Sequence, residues 1–204
     1  AAAVARYIKR KNPEKCSLVQ IMYPGRKGAV EFDIIAIPNH DGCIPNKTNM
    51  IRITGAPHSL DGNQISRESI RWSSEFSGLK KPVVGLVVGG ATKRRPFTEE
   101  MIVKLGSQTA NLVDKTGGSL VITTSPRTGN LLAGILNCLS KKNIEPAFVY
   151  GWRSTDSASN NPYLGILGCA DHLIVTGEST SMCSEACATD NTVHIFAPNG
   201  FLGQ

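Results

Sequence analysis

The residues best suited to chemistry lie together at 172–186, HLIVTGESTSMCSEA. Leu173, Ile174 and Val175 read as a short buried strand, Gly177 as the turn that ends it, and Ser179, Thr180 and Ser181 as the opening of a helix. A helix start leaves backbone N–H groups unpaired and carries about half a positive charge, which suits a phosphate or diphosphate. The three hydroxyls can cap the helix or donate to phosphate oxygens. Glu185, about a turn and a half further on, presents a carboxylate that can accept from ribose hydroxyls. The plainer reading of the same spacing is an N-capped helix after a strand, with Glu185 in solvent. Glu178 counts against the phosphate, because a carboxylate at this turn repels an anion unless it points away.

A regular alternation of elements must position these residues. From Pro82 onward the chain runs through a continuous apolar strand at 83–88, the wholly hydrophobic pattern of a strand buried on both faces. Gly89 and Gly90 follow it. Thr98 caps a helix with Glu99 and Glu100 in its first turn, and Gly117–Gly118 stops it. Further strands are expected at 120–123, 147–150, 173–175 and 193–197. Helices are expected from Thr128, from the Asn161–Pro162 pair, and over 181–189. Five strands alternating with helices imply parallel βαβ units with right-handed crossovers. Ligands of such sheets bind beyond the carboxyl ends of the strands, at the point where strand order reverses. The loops 89–95, 123–128, 150–155 and 176–181 are therefore expected to converge on one crevice. They bring Lys93, Arg94, Arg95, Arg127 and Arg153, basic side chains that fit a diphosphate, although any one of them is ordinarily a solvated loop charge.

The first stretch reads as a helix over 1–10 and strands at 17–22, 32–37 and 50–54, with turn residues in PGRKG and NHDGCIPN. A linker helix at 64–76 and the GLKKP punctuation at 78–82 place the domain boundary between residues 78 and 79.

Composition bounds the rest. The chain has 204 residues and a formal charge of +6. That is enough chain for a real core, with a basic balance that favours acidic partners. The basic residues come in small clusters without interleaved aromatics, so nucleic acid is not an expected partner. No apolar run approaches the roughly 20 residues of a membrane span. The six cysteines show no paired metal spacing; Cys183 and Cys187 lie one helical turn apart, and His194 alone does not complete a zinc set. Unpaired thiols of this kind fit a reducing, cytoplasmic setting. No Asp-x-Asp pair calls for a metal, and no organic cofactor is expected.

The runs GLVVGGATKRRPFTEE, SLVITTSPRT and NPYLGILGCADHLIVTGESTSMCSEA, in that order, resemble the mitochondrial-fission ELM family and its bacterial relatives. FDIIAIPNHD and ITGAPHSL in the first stretch resemble the same family, so the likeness covers most of the chain. It implies a GT-B-like α/β fold: a Rossmann-like parallel-sheet domain over 79–204, preceded by an incomplete Rossmann-like domain over 1–78. By matched position, Gly89, Gly90, Thr92 and Lys93 would form a glycine loop at the cleft between the domains, and Ser125 and Arg127 would line its floor. Ser179, Thr180 and Ser181 would hold a diphosphate and Glu185 the ribose. His40, Asp41 and His58 would be the catalytic candidates on the facing domain. The resemblance implies either metal-independent glycosyl transfer from a nucleotide-diphosphate sugar, or a non-catalytic adaptor that recruits a dynamin-related protein in mitochondrial fission. An anionic membrane surface or a lipid acceptor would suit the basic surface and a position peripheral to a membrane. Compared with such enzymes, the chain is expected to lack the opening strand with its glycine-rich loop and the closing helices beyond Gln204.

Overall fold

The computed structural model describes residues 2–13, 16–42, 47–91, 97–156 and 160–198. The chain divides between Ala56 and Pro57 into two compact units.

In the first unit, strands β1 (Val19–Ile21), β2 (Ile34–Pro38) and β3 (Met50–Ile53) form a parallel sheet in the order β1-β2-β3. Alternation of side chains sends Ile35, Ile37 and Met50 to one face. There they pack with Ala5 of helix α1 (Ala2–Lys11), Ala29 and Phe32. Asn49 Nδ2 donates to the Ala29 and Phe32 carbonyls, at 3.0 and 2.9 Å, and so ties the start of β3 to the loop before β2. Arg6 and Lys9 of α1 pair with Glu31 and Asp33. The opposite face carries Val19, Ile21, Ile34 and Ile51, which are 60, 48, 43 and 51% exposed. Parallel sheets are ordinarily covered on both faces. Among the described residues, the apolar cluster of this sheet packs on one face.

The second unit is a Rossmann-like three-layer structure. Strands β4 (Val83–Val88), β5 (Ser119–Thr124), β6 (Phe148–Tyr150), β7 (His172–Thr176) and β8 (Thr192–Phe196) are all parallel, in the order β6-β5-β4-β7-β8. Helices α3 (Glu99–Thr116) and α4 (Leu131–Ser140) cover one face, burying Leu105, Val113, Ile135 and Leu139 against Val84, Leu86, Leu120 and Ile122. Helices α5 (Tyr163–Cys169) and α6 (Thr180–Ala186) cover the other, with Ile166, Leu167 and Ala186 against Val87, Val121, Leu173 and Val175. β4 is buried along its whole length, as its unbroken apolar run requires.

Helix α2 (Gly62–Phe76) corrects the expected domain boundary. A capping box of Asp61 and Gln64 starts it, and its Trp72 and Phe76 form an aromatic cluster with Phe148 of β6. Gly165 and Gly168 of α5 let the two helices approach closely: a Cβ at Gly165 would lie 2.4 Å from the Trp72 ring. The helix read from sequence as a linker is thus part of the second unit's core, and 78–82 is the tight connection from α2 into β4. Thr128 also differs from expectation. Helix α4 begins at Leu131 with Asn130 in the cap position, and Thr128 is committed elsewhere, as described below.

Asp171, just before β7, fastens the start of β4. Its carboxylate accepts from the Val83 N–H at 2.6 Å and from Lys81 Nζ at 2.9 Å. Partial burial works to raise its pKa, but the Val83 bond and the Lys81 charge outweigh that and hold the carboxyl below its ordinary value. A carboxyl whose folded pKa lies below its unfolded one contributes stability that is complete above the unfolded pKa and is lost as pH falls through the folded one. The expected result is a fall in urea midpoint below about pH 4 that is shallower in Asp171→Asn, together with a lower midpoint for the variant at pH 7. Parallel pH profiles would disprove the linkage.

Candidate functional site

The strand order reverses between β4 and β7, and the loops after β4, β5 and β7 are hydrogen-bonded to one another there. Gly89 N–H donates to Thr176 Oγ1 at 2.8 Å, and Gly90 N–H to Glu178 Oε1 at 2.6 Å. Thr176 Oγ1 in turn donates to Glu178 Oε1 at 3.2 Å. From the other side, Ser125 Oγ donates to the Gly89 carbonyl at 2.7 Å. Thr128 Oγ1 sits between the Val88 and Gly89 carbonyls and accepts the Ser125 N–H at 2.9 Å. Thr124 Oγ1 links the loop after β6, accepting from Trp152 N–H at 2.8 Å and donating to the Tyr150 carbonyl at 3.3 Å. A cavity of about 560 Å³ opens at the ends of β5 and β6, lined by Thr124, Ser125, Thr128, Leu132, Trp152 and Arg153 among others. That volume is within the range of small-molecule pockets.

The two glycines are explained by this stitching. A Cβ on Gly89 would lie 1.9 Å from Glu178 Oε1, and one on Gly90 would lie 2.1 Å from the Arg127 carbonyl oxygen. Their missing side chains make room for the chain's own carboxylate and backbone.

Glu178 is the residue the sequence reading undervalued. It is only 7% exposed, and its Oε2 is buried with no hydrogen-bond partner among the described residues. Burial pushes its carboxyl above the ordinary range, while the Gly90 N–H, its own backbone N–H, the Thr176 hydroxyl and the Arg127 charge act in the opposite direction. Nothing in the local spacing points Glu178 inward; only the β4–β7 pairing brings Gly90 to it. Tyr163 was also passed over. Its hydroxyl donates to Glu185 Oε2 at 2.5 Å, and burial, reinforced by that carboxylate, holds the phenol far above its usual pKa. Its place at the start of α5, after Asn161–Pro162, was the available signal.

The remaining expected residues fall as follows. Ser125 is half-buried and Arg127 exposed, beside the Gly89–Gly90 turn. Ser179 is buried at the N-cap position of α6 without a side-chain capping bond, Thr180 is half-buried and Ser181 exposed. Glu185 lies on α6, held by Tyr163 rather than free in solvent. Thr92, Lys93, Arg94 and Arg95 lie outside the described residues. His40 and Asp41 are neighbours in the first unit, with Nε2 and Oδ1 3.7 Å apart. His58 is exposed and belongs to the second unit, not to the first with the other two. Among the described residues no group of His, Cys, Asp and Glu side chains could hold a metal ion, and no helix is long and apolar enough to cross a membrane.

A doubly wound parallel sheet with hydroxyl-rich loops gathered at its reversal point defines a Rossmann-like class of protein. Within that class the chain belongs to the Mitochondrial fission ELM1 family, whose sequence profile matches residues 1–203. It is 27% identical over 214 residues to the mitochondrial fission protein ELM1 of Arabidopsis thaliana, covering 95% of this chain and 48% of that one. It is 28% identical over 230 residues to the uncharacterized protein RP120 of Rickettsia prowazekii, covering 98% of this chain and 63% of that one. The chain thus spans about half to two-thirds of the length of these relatives. Among solved structures, POFUT1 in complex with GDP-fucose aligns over 74% of this chain and 55% of its own, with 12% identity and a TM-score of 0.42. That likeness is too loose to bear on the site.

Proposed function

We propose that this protein is a GT-B-type, glycosyltransferase-like protein whose second unit binds a nucleotide-diphosphate sugar at the β4–β7 reversal. The observation that carries this is the direct hydrogen bonding of the loops after β4, β5 and β7 at the carboxyl ends of their strands, where doubly wound sheets take ligands. Near these loops Arg127 and Ser181 are exposed and Thr180 is half-buried. They suit the charge that builds on a departing diphosphate as the bond from its oxygen to the anomeric carbon breaks. The adjoining cavity beside Trp152 has room for the rest of a nucleotide. A base, His40 beside Asp41 or else His58, would take the proton of the acceptor hydroxyl as its oxygen bonds to the anomeric carbon. Thr92 and Lys93 remain with this proposal as parts of the glycine loop, as do Ser125, Ser179 and Glu185.

A second reading is favoured by the family and by the Arabidopsis relative that carries the name of a mitochondrial fission protein. Under it the chain is a non-catalytic adaptor for a dynamin-related protein, acting at an anionic membrane surface from the cytoplasm.

Calorimetric titration with UDP, GDP and their sugar conjugates separates the two. The expected result is saturable binding of one nucleotide, weakened at least about tenfold by Arg127→Ala, which removes a charge-assisted bond to phosphate. Glu185→Ala should weaken the nucleoside form as well. Absence of heat with every nucleotide, in a protein shown to be folded, would overturn the donor-site proposal and leave the adaptor.

A further inference from the structure

An anion-binding turn ordinarily offers free N–H groups and glycines that let a phosphate approach the backbone closely. At residues 89–90 both conditions are already met from within the chain. The Gly90 N–H is taken by Glu178 Oε1 at 2.6 Å, and the Gly89 N–H by the Thr176 hydroxyl at 2.8 Å. The Thr176 hydroxyl hands its own proton to the same carboxylate oxygen. The space a Cβ of Gly89 would need is occupied by that oxygen, 1.9 Å away. Glu178 is nine-tenths buried, and its second oxygen is left without a hydrogen-bond partner among the described residues. A carboxylate accepts the same donors as a phosphate oxygen, so its presence here is that of an anion bound in an anion site.

We propose that Glu178 is the resident anion of the reversal point: its carboxylate fills the seat beside the Gly89–Gly90 turn, and an external phosphate group reaches the Gly90 amide only by displacing it. Gly89 and Gly90 are then specificity determinants of an indirect kind. They shape the seat for a side chain, and Glu178 decides what may replace that side chain. A diphosphate held at the exposed residues Arg127 and Ser181 leaves the seat closed. One that enters the turn must exchange its oxygens for those of Glu178.

The test uses the full chain and inorganic pyrophosphate, so that it does not depend on the nucleotide proposal. Amide resonances of Gly90 and Gly89 are followed by ¹H–¹⁵N NMR during titration of wild type, Glu178→Gln and Glu178→Ala. In wild type, pyrophosphate is expected to leave the Gly90 resonance in place. Glu178→Gln keeps the shape and an acceptor for Gly90 but offers a neutral, weaker bond and no repulsion. Its Gly90 resonance should move saturably, with an apparent affinity at least about tenfold above wild type. Glu178→Ala, where the seat is empty, should respond more strongly still. A Gly90 shift in wild type matching that of the variants would overturn the proposal. So would an unmoved Gly90 resonance in folded Glu178→Gln, the variant whose preserved shape makes it the deciding one if Glu178→Ala does not fold. Nucleotide binding without any Gly90 response in the variants would leave the donor site standing and remove the resident anion. Loss of nucleotide binding alone would do the reverse.

Discussion

Gly90→Ala is expected to lower the stability of the protein by about 4 kcal/mol, a large part of what a domain possesses. The added Cβ would lie 2.1 Å from the Arg127 carbonyl oxygen, 2.2 Å from its carbon and 2.6 Å from the Thr128 nitrogen. All three are backbone atoms, so no side-chain rotation relieves the clash. The turn at 125–128 must move away from β4, and with it go the bonds of Ser125 and Thr128 to the Val88 and Gly89 carbonyls. Overpacking and the loss of buried hydrogen bonds therefore add. Gly78→Ala is the matched control, because a Cβ there meets nothing within 4 Å, and a change within about 0.5 kcal/mol is expected. Urea denaturation followed by circular dichroism measures both. Equal midpoints for the two variants would mean that the loops at the reversal point are not held as described.

The second large effect is expected from Leu86→Ala, at about 3–4 kcal/mol. Leu86 is fully buried at the centre of β4, and strands β5 and β7 on either side leave its surroundings little freedom to collapse into the space. Ile34→Ala in β2 makes the informative contrast. It removes a similar amount of hydrocarbon from a strand of another parallel sheet, but Ile34 is already 43% exposed. A loss of about 1 kcal/mol or less is expected, since much of the side chain never leaves water. A loss from Ile34→Ala as large as that from Leu86→Ala would show that the apolar face of Val19, Ile21, Ile34 and Ile51 is covered in solution.

Much of the second unit was legible from local pattern. The apolar run of β4, the capped helix from Thr98 to the left-handed Gly117 and the five alternating strands stand as expected, because burial on both faces and helix capping leave direct marks on neighbouring residues. The domain boundary was less so. The amphipathic pattern of 62–76 shows that a helix forms but not which sheet it covers, and its placement rests on Trp72, Phe76 and Gly165, residues far apart in sequence. Thr128 misled for a related reason: a hydroxyl before an apolar helix reads as a cap, yet here it bonds to carbonyls forty residues earlier.

The sequence by itself determined the order of strands and helices in this protein, the hydroxyl-rich loops at the strand ends and the membership in its family, all of which are written in short stretches of residues. The tertiary structure alone decided which of those loops touch. It turned Glu178 from a carboxylate that counts against a phosphate into the acceptor for Gly90, set Tyr163 on Glu185, and gave helix α2 to the second unit. The physical reason is that a strand or helix is selected by the spacing of side chains along a few turns. The partner of a buried polar group is selected by strand pairing between segments some ninety residues apart, and local spacing carries no record of it.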